Sequence, residues 1–278
     1  MAINIELSGK YDQLRGILSR IPSLAVAFSG GVDSSLLLAV AVEVLGSRVV
    51  ALTADSPVHP ARETRAAIET TSLLKVRHIL VRTDEMDQAA FRANTPDRCY
   101  ICKKLIFNRL MAVADVLGIN HVAHGVNLDD LSDYRPGLRA AAEMKVISPL
   151  VDAGLSKADI RLLAQDLGLP NWNRPAMACL ASRVPYDTEL SHSLLAQVEA
   201  AENLLEDLDF RGGRVRCHGD MARIELANGE DMARALSDAC RKRLVQGMKS
   251  AGFSYVSLDL EGYRQGSMNA PLARRGDK

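Results

Sequence analysis

The junction inside "AVAFSGGVDSSLLLAV", residues 25–40, constrains this chain more than any other feature. An apolar run stops at Ser29-Gly30-Gly31, passes Asp33, Ser34 and Ser35, and turns apolar again at once. A short apolar run ending in glycine reads as a buried strand. The longer run after it, closed by Gly46, reads as a helix with a glycine C-cap. A strand that enters a helix through a glycine turn aims several backbone N–H groups at one point, where the helix dipole adds positive charge. Such a point favours a phosphate. Gly30 and Gly31 remove the Cβ atoms that would hold a phosphate off the backbone. Ser29, Ser34 and Ser35 add hydroxyl donors, and Asp33 suits either a helix cap or a Mg²⁺ ligand beside a polyphosphate.

The surrounding pattern alternates strand and helix. Strands are expected at 48–55, 76–84, 121–127 and 146–150, and helices at 60–74, 104–118, 138–145 and 156–169, the last capped by Ser156. Alternation of this kind predicts an α/β fold, a parallel sheet flanked by helices. An irregular stretch with Pro170, Pro175 and Pro185 follows. Beyond it lie a helix at 191–208, a hairpin at 213–226 turning at Gly219-Asp220, one long helix at 229–252 and a final strand at 255–262. The predicted division is a first domain of 1–186 and a smaller C-terminal α+β domain of 187–278.

Lys+Arg and Asp+Glu both number 34, so no global basic field draws nucleic acid or an anionic membrane. The opening residues lack the basic start and apolar core of a secretion signal, and no apolar stretch reaches membrane-spanning length. A cytoplasmic protein is expected. Five cysteines, at 99, 102, 179, 217 and 240, argue against a disulfide framework. Cys99 and Cys102 stand two residues apart among Arg98, Lys103 and Lys104, a setting that suits thiolates and a shared metal. Cys179 lies among small residues in the irregular stretch. Cys217 and Cys240 read as core residues.

The turn has neither the lysine of GxxxxGK[ST] nor the spacing of GxGxxG. "SGGVDSS" resembles instead the SGGxDS loop of the ATP pyrophosphatase (PP-loop) superfamily, whose fold is adenine nucleotide alpha-hydrolase-like. The resemblance implies that ATP is cleaved between its α and β phosphates, AMP passes to a substrate oxygen, and a nucleophile then displaces AMP. It places Ala54, at the end of the second strand, near the adenosine. It places Gly125 and Asn127 of "HGVNLDD" (124–130) near the nucleotide, and Asp129 or Asp130 near metal; a plain polar turn explains those residues equally well.

"SGGVDSS", "RCYICK", "DYRPG", "ACLASR" and "LDLEGYRQGSMN" together resemble the LarE family, the sulfur transferases of nickel-pincer nucleotide biosynthesis. The likeness runs through nearly the whole chain. It implies adenylation of a carboxylate of pyridinium-3,5-biscarboxylic acid mononucleotide, followed by replacement of AMP with sulfur to give a thiocarboxylate. One branch of the family sacrifices the sulfur of a single cysteine, matching Cys179 here. Another holds a [4Fe-4S] cluster on three cysteines, matching Cys99, Cys102 and Cys179, and this sequence fits the second. The catalytic residues implied are Cys179 and Asp33. ATP, Mg²⁺ and the cluster are the implied cofactors, and sulfide or another sulfur donor is an implied partner. A homo-oligomer, a hexamer, is also implied.

The proposed substrate carries two carboxylates and a phosphate, which guanidinium groups bind well. Arg214 and Arg216 fall at i and i+2 of a predicted strand and share a face, and Arg183 follows Cys179 by four residues. The resemblance matches Arg214 and Arg216 to substrate phosphate, although a solvated strand face has the same pattern. Glu199 and Glu202 suit either the sulfur-transfer site or an exposed helix face. Competing readings are a transfer-RNA thiolation enzyme, an ammonia-using amide synthetase and a non-enzymatic nucleotide sensor.

Overall fold

A computed structural model describes residues 5–132, 136–175, 178–264 and 266–269. Asp133-Tyr134-Arg135 of the "DYRPG" motif and the "ARRGDK" tail lie outside the described residues. The chain divides into two compact units: Met1–Phe91 with Asp97–Met177, and Arg92–Pro96 with Ala178–Lys278. The predicted boundary at 186 falls inside the second unit, which also takes in the Cys179 stretch. Among the described residues no helix is long and apolar enough to cross a membrane.

The first unit contains α1 (Ile5–Ser19), β1 (Leu24–Ala27), α2 (Val32–Leu45), β2 (Val49–Asp55), α3 (Ala61–Leu73), β3 (Arg77–Arg82) and α4 (Ala89–Arg92), whose last residue joins the second unit. Then come α5 (Arg98–Val116), β4 (Val122–His124), α6 (Pro136–Glu143), α7 (Pro149–Asp152) and α8 (Lys157–Asp166). All four strands are parallel, in the order β3-β2-β1-β4. Alternation along each strand feeds two cores. Leu24, Val26, Val49, Ala51 and Ala123 face Leu14, Leu36, Ile160 and their neighbours from α1, α2 and α8. Ala25, Val50, Leu52, Val81 and Val122 face Ile106, Phe107 and Leu110 of α5. At about 25 cal/mol per Å² of apolar area removed from water, these two layers are the main stabilisation of the unit.

Two expectations need correction here. The strand predicted at 146–150 is a single bridge, Ile147 to Ala123. Pro149 cannot donate to a ladder and instead opens α7, where its missing N–H is harmless. Helix α5 begins at Arg98, six residues before the predicted start at 104, and so takes in the cysteine pair.

The second unit holds α9 (His192–Asp207), the antiparallel hairpin β5 (Arg214–His218) and β6 (Met221–Glu225), then α10 (Gly229–Leu236), α11 (Asp238–Ser250) and β7 (Tyr255–Leu258), which pairs parallel to β6. The hairpin turns at Gly219-Asp220 as the sequence predicts. The single helix predicted at 229–252 is two. Ser237 takes φ −59° and ψ 145°, which ends α10 and starts α11. Its hydroxyl donates to the Arg234 carbonyl at 2.7 Å, a local bond that competes with helix continuation.

Candidate functional sites in the two units

In the first unit the strand order reverses direction around β1: the chain moves from β1 to β2 and β3 on one side, and β4 takes the other. Open α/β sheets bind ligands at the carboxyl ends of the strands that flank such a switch point. The turn at 29–35 leaves β1 there, and the turn at 125–130 leaves β4 beside it.

The first turn is held by its own small side chains. Gly30 has φ +74°, which a Cβ would strain, and that Cβ would also stand 3.2 Å from the Ala67 nitrogen in α3. The Ser34 hydroxyl donates to the Gly31 carbonyl at 3.0 Å and lies 3.2 Å from the Ser29 hydroxyl; that hydroxyl accepts the Gly31 N–H at 3.3 Å. The Ser35 N–H closes the first helical bond to Gly31 at 3.0 Å. Asn171, unremarked in the sequence, reaches in from the stretch after α8 and donates to the Gly30 carbonyl and the Ser35 hydroxyl, both at 2.8 Å.

The second turn is pressed against the first. A Cβ on Gly125 would lie 2.6 Å from the Ser34 nitrogen, so only glycine permits this approach. Buried Asn127 accepts the Asp129 N–H at 2.9 Å and the Asp130 N–H at 3.3 Å, while its own N–H donates to Asp130 Oδ2 at 3.1 Å. Lys157 ties the two turns together. Its N–H donates to Asp129 Oδ2 at 2.8 Å, and its Nζ donates to Asp33 Oδ2 at 2.5 Å. Burial pushes the Asp33 carboxyl above the usual carboxylate range, and the Lys157 ammonium opposes that shift. Asp33 Oδ1 is buried and makes no hydrogen bond of good geometry among the described residues, with the Asn127 side chain and the Asp130 carboxylate nearby. An anionic oxygen of this kind fits a hard cation.

Ala54 lies at the carboxyl end of β2, against the α5 side of the sheet. Helix α5 brings Cys99 and Cys102 to the same end of the unit. They stand three apart in its first turns, on one face, where the dipole favours a thiolate. Lys103 confirms the placement, because its charge reaches His59 after β2 and His124 at the end of β4. Burial first and Lys103 second pull each of these histidines down to about 4. A Cβ on Gly137 would meet Lys103 Cγ at 2.9 Å, so the start of α6 packs directly onto this turn.

The second unit holds Cys179, which is half-buried and precedes a single 3₁₀ turn at Leu180–Arg183. Its carbonyl accepts from the Ser182 N–H at 2.9 Å, the Ser182 hydroxyl at 2.7 Å and Arg183 Nη1 at 3.3 Å. Its thiol makes no hydrogen bond to any described residue. Arg183 is 1% exposed. Its guanidinium grips Glu202 at 2.7 and 3.0 Å and the Ala178 carbonyl at 2.8 Å. Arg183 therefore positions the cysteine turn. Glu202 falls on the stripe of Leu195, Val198, Ala201 and Leu205 by which α9 is buried, which is the helical spacing that locates it.

Arg214 and Arg216 are buried, not the solvated face that alternating charge also fits. Arg216 donates to Glu225 Oε2 at 2.9 and 2.6 Å and to the Ser182 carbonyl at 3.2 Å, so the hairpin touches the cysteine turn. Arg223 donates to Glu225 Oε1 at 3.0 Å and stands 3.6 Å from Asp259. Arg214 stacks its guanidinium 5.4 Å from the Tyr263 ring. Arg216 and Arg223 thus share the carboxylates of Glu225 and Asp259. Among the described residues no three His, Cys, Asp or Glu side chains gather as a metal site.

Residues 18–136 match the asparagine synthase family. The chain is 41% identical to an uncharacterized protein of Synechocystis sp., over 96% of this chain and 100% of that one. It is 39% identical to the pyridinium-3,5-bisthiocarboxylic acid mononucleotide synthase of Lactiplantibacillus plantarum, over 96% of both chains. An uncharacterized protein of Methanocaldococcus jannaschii is 29% identical over 87% of this chain and 90% of its own length. A likeness that spans both units, joined to a phosphate turn on a parallel sheet and a cysteine turn in the second unit, makes the chain a member of the LarE family, ATP-dependent sulfur transferases of the PP-loop superfamily.

Proposed function

We propose that this chain adenylates a carboxylate of pyridinium-3,5-biscarboxylic acid mononucleotide and replaces AMP with sulfur, giving a thiocarboxylate. The observation that carries the reading is the Cys179 turn, whose carbonyl is held by three donors while its thiol is left uncommitted. In this reading the turn at 29–35, with Ala54, Gly125 and Asn127, receives ATP. Asp33, with its buried Oδ1, would hold Mg²⁺, and the metal would supply charge neutralisation at the phosphates. Arg214 and Arg216, which suit anionic groups, receive the carboxylate and phosphate of the substrate, with Arg183 acting through the cysteine turn and not by contact.

Sulfur comes from the Cys99, Cys102 and Cys179 set. We propose a [4Fe-4S] cluster on these three, supported by their number in the sequence and by the shared helical face of the first two. A cluster would supply a transferable sulfide. The test is anaerobic: protein, ATP and the dicarboxylate are mixed, and AMP, PPi and thiocarboxylate are measured beside iron and acid-labile sulfide. Formation of thiocarboxylate with stoichiometric AMP is expected. ATP consumption with no sulfur in the product would end this reading. Loss of one H₂S from the Cys179 peptide after a single turnover would replace the cluster with direct sacrifice of that residue.

A further inference from the structure

The Lys157–Asp33 pair suggests how the metal is admitted. We propose that Lys157 is a built-in stand-in for the divalent cation at Asp33, so that the metal enters only together with the triphosphate. The proposal rests on the reading of residues 29–35 as the nucleotide turn.

Lys157 Nζ sits 2.5 Å from Asp33 Oδ2, and Oδ1 keeps its capacity to bind a cation. The two side chains are 27% and 21% exposed, so solvent still reaches the pair, unlike the fully buried Arg183–Glu202 pair. The Lys157 backbone stays where it is. Its N–H is bound to Asp129, and α8 is fixed by a capping box in which Ser156 and Asp159 exchange bonds at 3.2 and 3.0 Å. Only the four-carbon stem has to move for the ammonium to leave Asp33 for an anionic oxygen that arrives with the metal. A free divalent cation would have to expel the ammonium from Asp33 and leave it without an anion. A metal–triphosphate complex supplies both halves of the exchange: a cation for Asp33 and anionic oxygens for Lys157. The two turns respond together, because Lys157 also holds Asp129 of the β4 turn.

The experiment is a Mn²⁺ titration of the full-length, nucleotide-free protein, read by electron paramagnetic resonance. Lys157→Met should bind Mn²⁺ about tenfold more tightly than the wild type, because the ammonium that competes for Asp33 is gone. Lys157→Arg, which keeps the cation, should bind as weakly as the wild type. The double variant Asp33→Asn/Lys157→Met should lose the gain. Equal Mn²⁺ affinity in Lys157→Met and wild type, or a gain that persists without Asp33, overturns the proposal. If Lys157→Met fails to fold by circular dichroism, Lys157→Gln takes its place with the same two outcomes. No ATP turnover or carboxylate enters this measurement, so it and the sulfur-transfer reading fail independently.

Discussion

Two ion pairs separate the working styles of the two units. Lys157–Asp33, in the first, is a quarter exposed and joins two turns built from glycine and serine. Arg183–Glu202, in the second, is 1% exposed on both sides and is surrounded by carbonyl oxygens that use up the guanidinium. The first has the form of a contact made to be exchanged, and the second of a permanent brace. A reagent that arrives and leaves needs donors whose partners can be displaced at small cost. A thiol that must meet a reactive intermediate needs a backbone that does not move, and a buried, saturated ion pair supplies that at the risk of collapse if half of it is lost.

Substitutions can break this contrast, and the largest effect is expected at Cys179. Cys179→Ala should reduce thiocarboxylate formation to background while PPi release persists; retained sulfur transfer would show that the thiol is a bystander. Next is Glu202→Ala, which strands a buried guanidinium and should cost about 3–5 kcal/mol in a urea titration. Asp33→Ala leaves a Lys157 ammonium that water can still reach, so it should cost clearly less than Glu202→Ala in the same titration and yet abolish AMP transfer. A large stability loss at Asp33 and a small one at Glu202 would invert the comparison. Gly125→Ala would force the two turns apart, because its Cβ would stand 2.6 Å from the Ser34 nitrogen; it should cost about 1–3 kcal/mol in the urea titration and raise the KM for ATP by about tenfold or more. An unaltered KM would detach the β4 turn from the nucleotide.

The smallest effect concerns pH. His59 and His124 are held neutral by burial, with pKa values of about 4 against an ordinary 6.5. The unfolded chain therefore binds more protons between these limits. Stability should be complete above pH 6.5 and fall as pH drops toward 4, by about 1 kcal/mol per pH unit for each histidine. His124→Gln should flatten that slope in urea midpoints measured from pH 7 to 5; an unchanged slope would mean that His124 titrates normally.

Much of this was legible in the residues. The phosphate turn announces itself because backbone geometry needs glycine at Gly30 and the helix start needs small polar residues, which are local requirements. The hairpin at 219–220 and the Ser156 cap follow from the same kind of rule. Asn171, Lys157 and Glu202 were harder. Lys157 and Asp33 are 124 residues apart, Asn171 and Ser35 136, and no spacing along the chain relates them. Glu202 suits the sulfur-transfer site or an exposed helix face until α9 is seen to bury its stripe, and its partner Arg183 lies in a separate turn.

The parallel sheet, the glycine–serine turn after β1 and the cysteine inventory follow from the residues alone, because each is set by backbone conformation or side-chain chemistry within a few residues. Which charges are loose and which are locked is settled by the folded arrangement. That depends on how much water and how many carbonyl oxygens surround each pair, and those surroundings are assembled from distant parts of the chain.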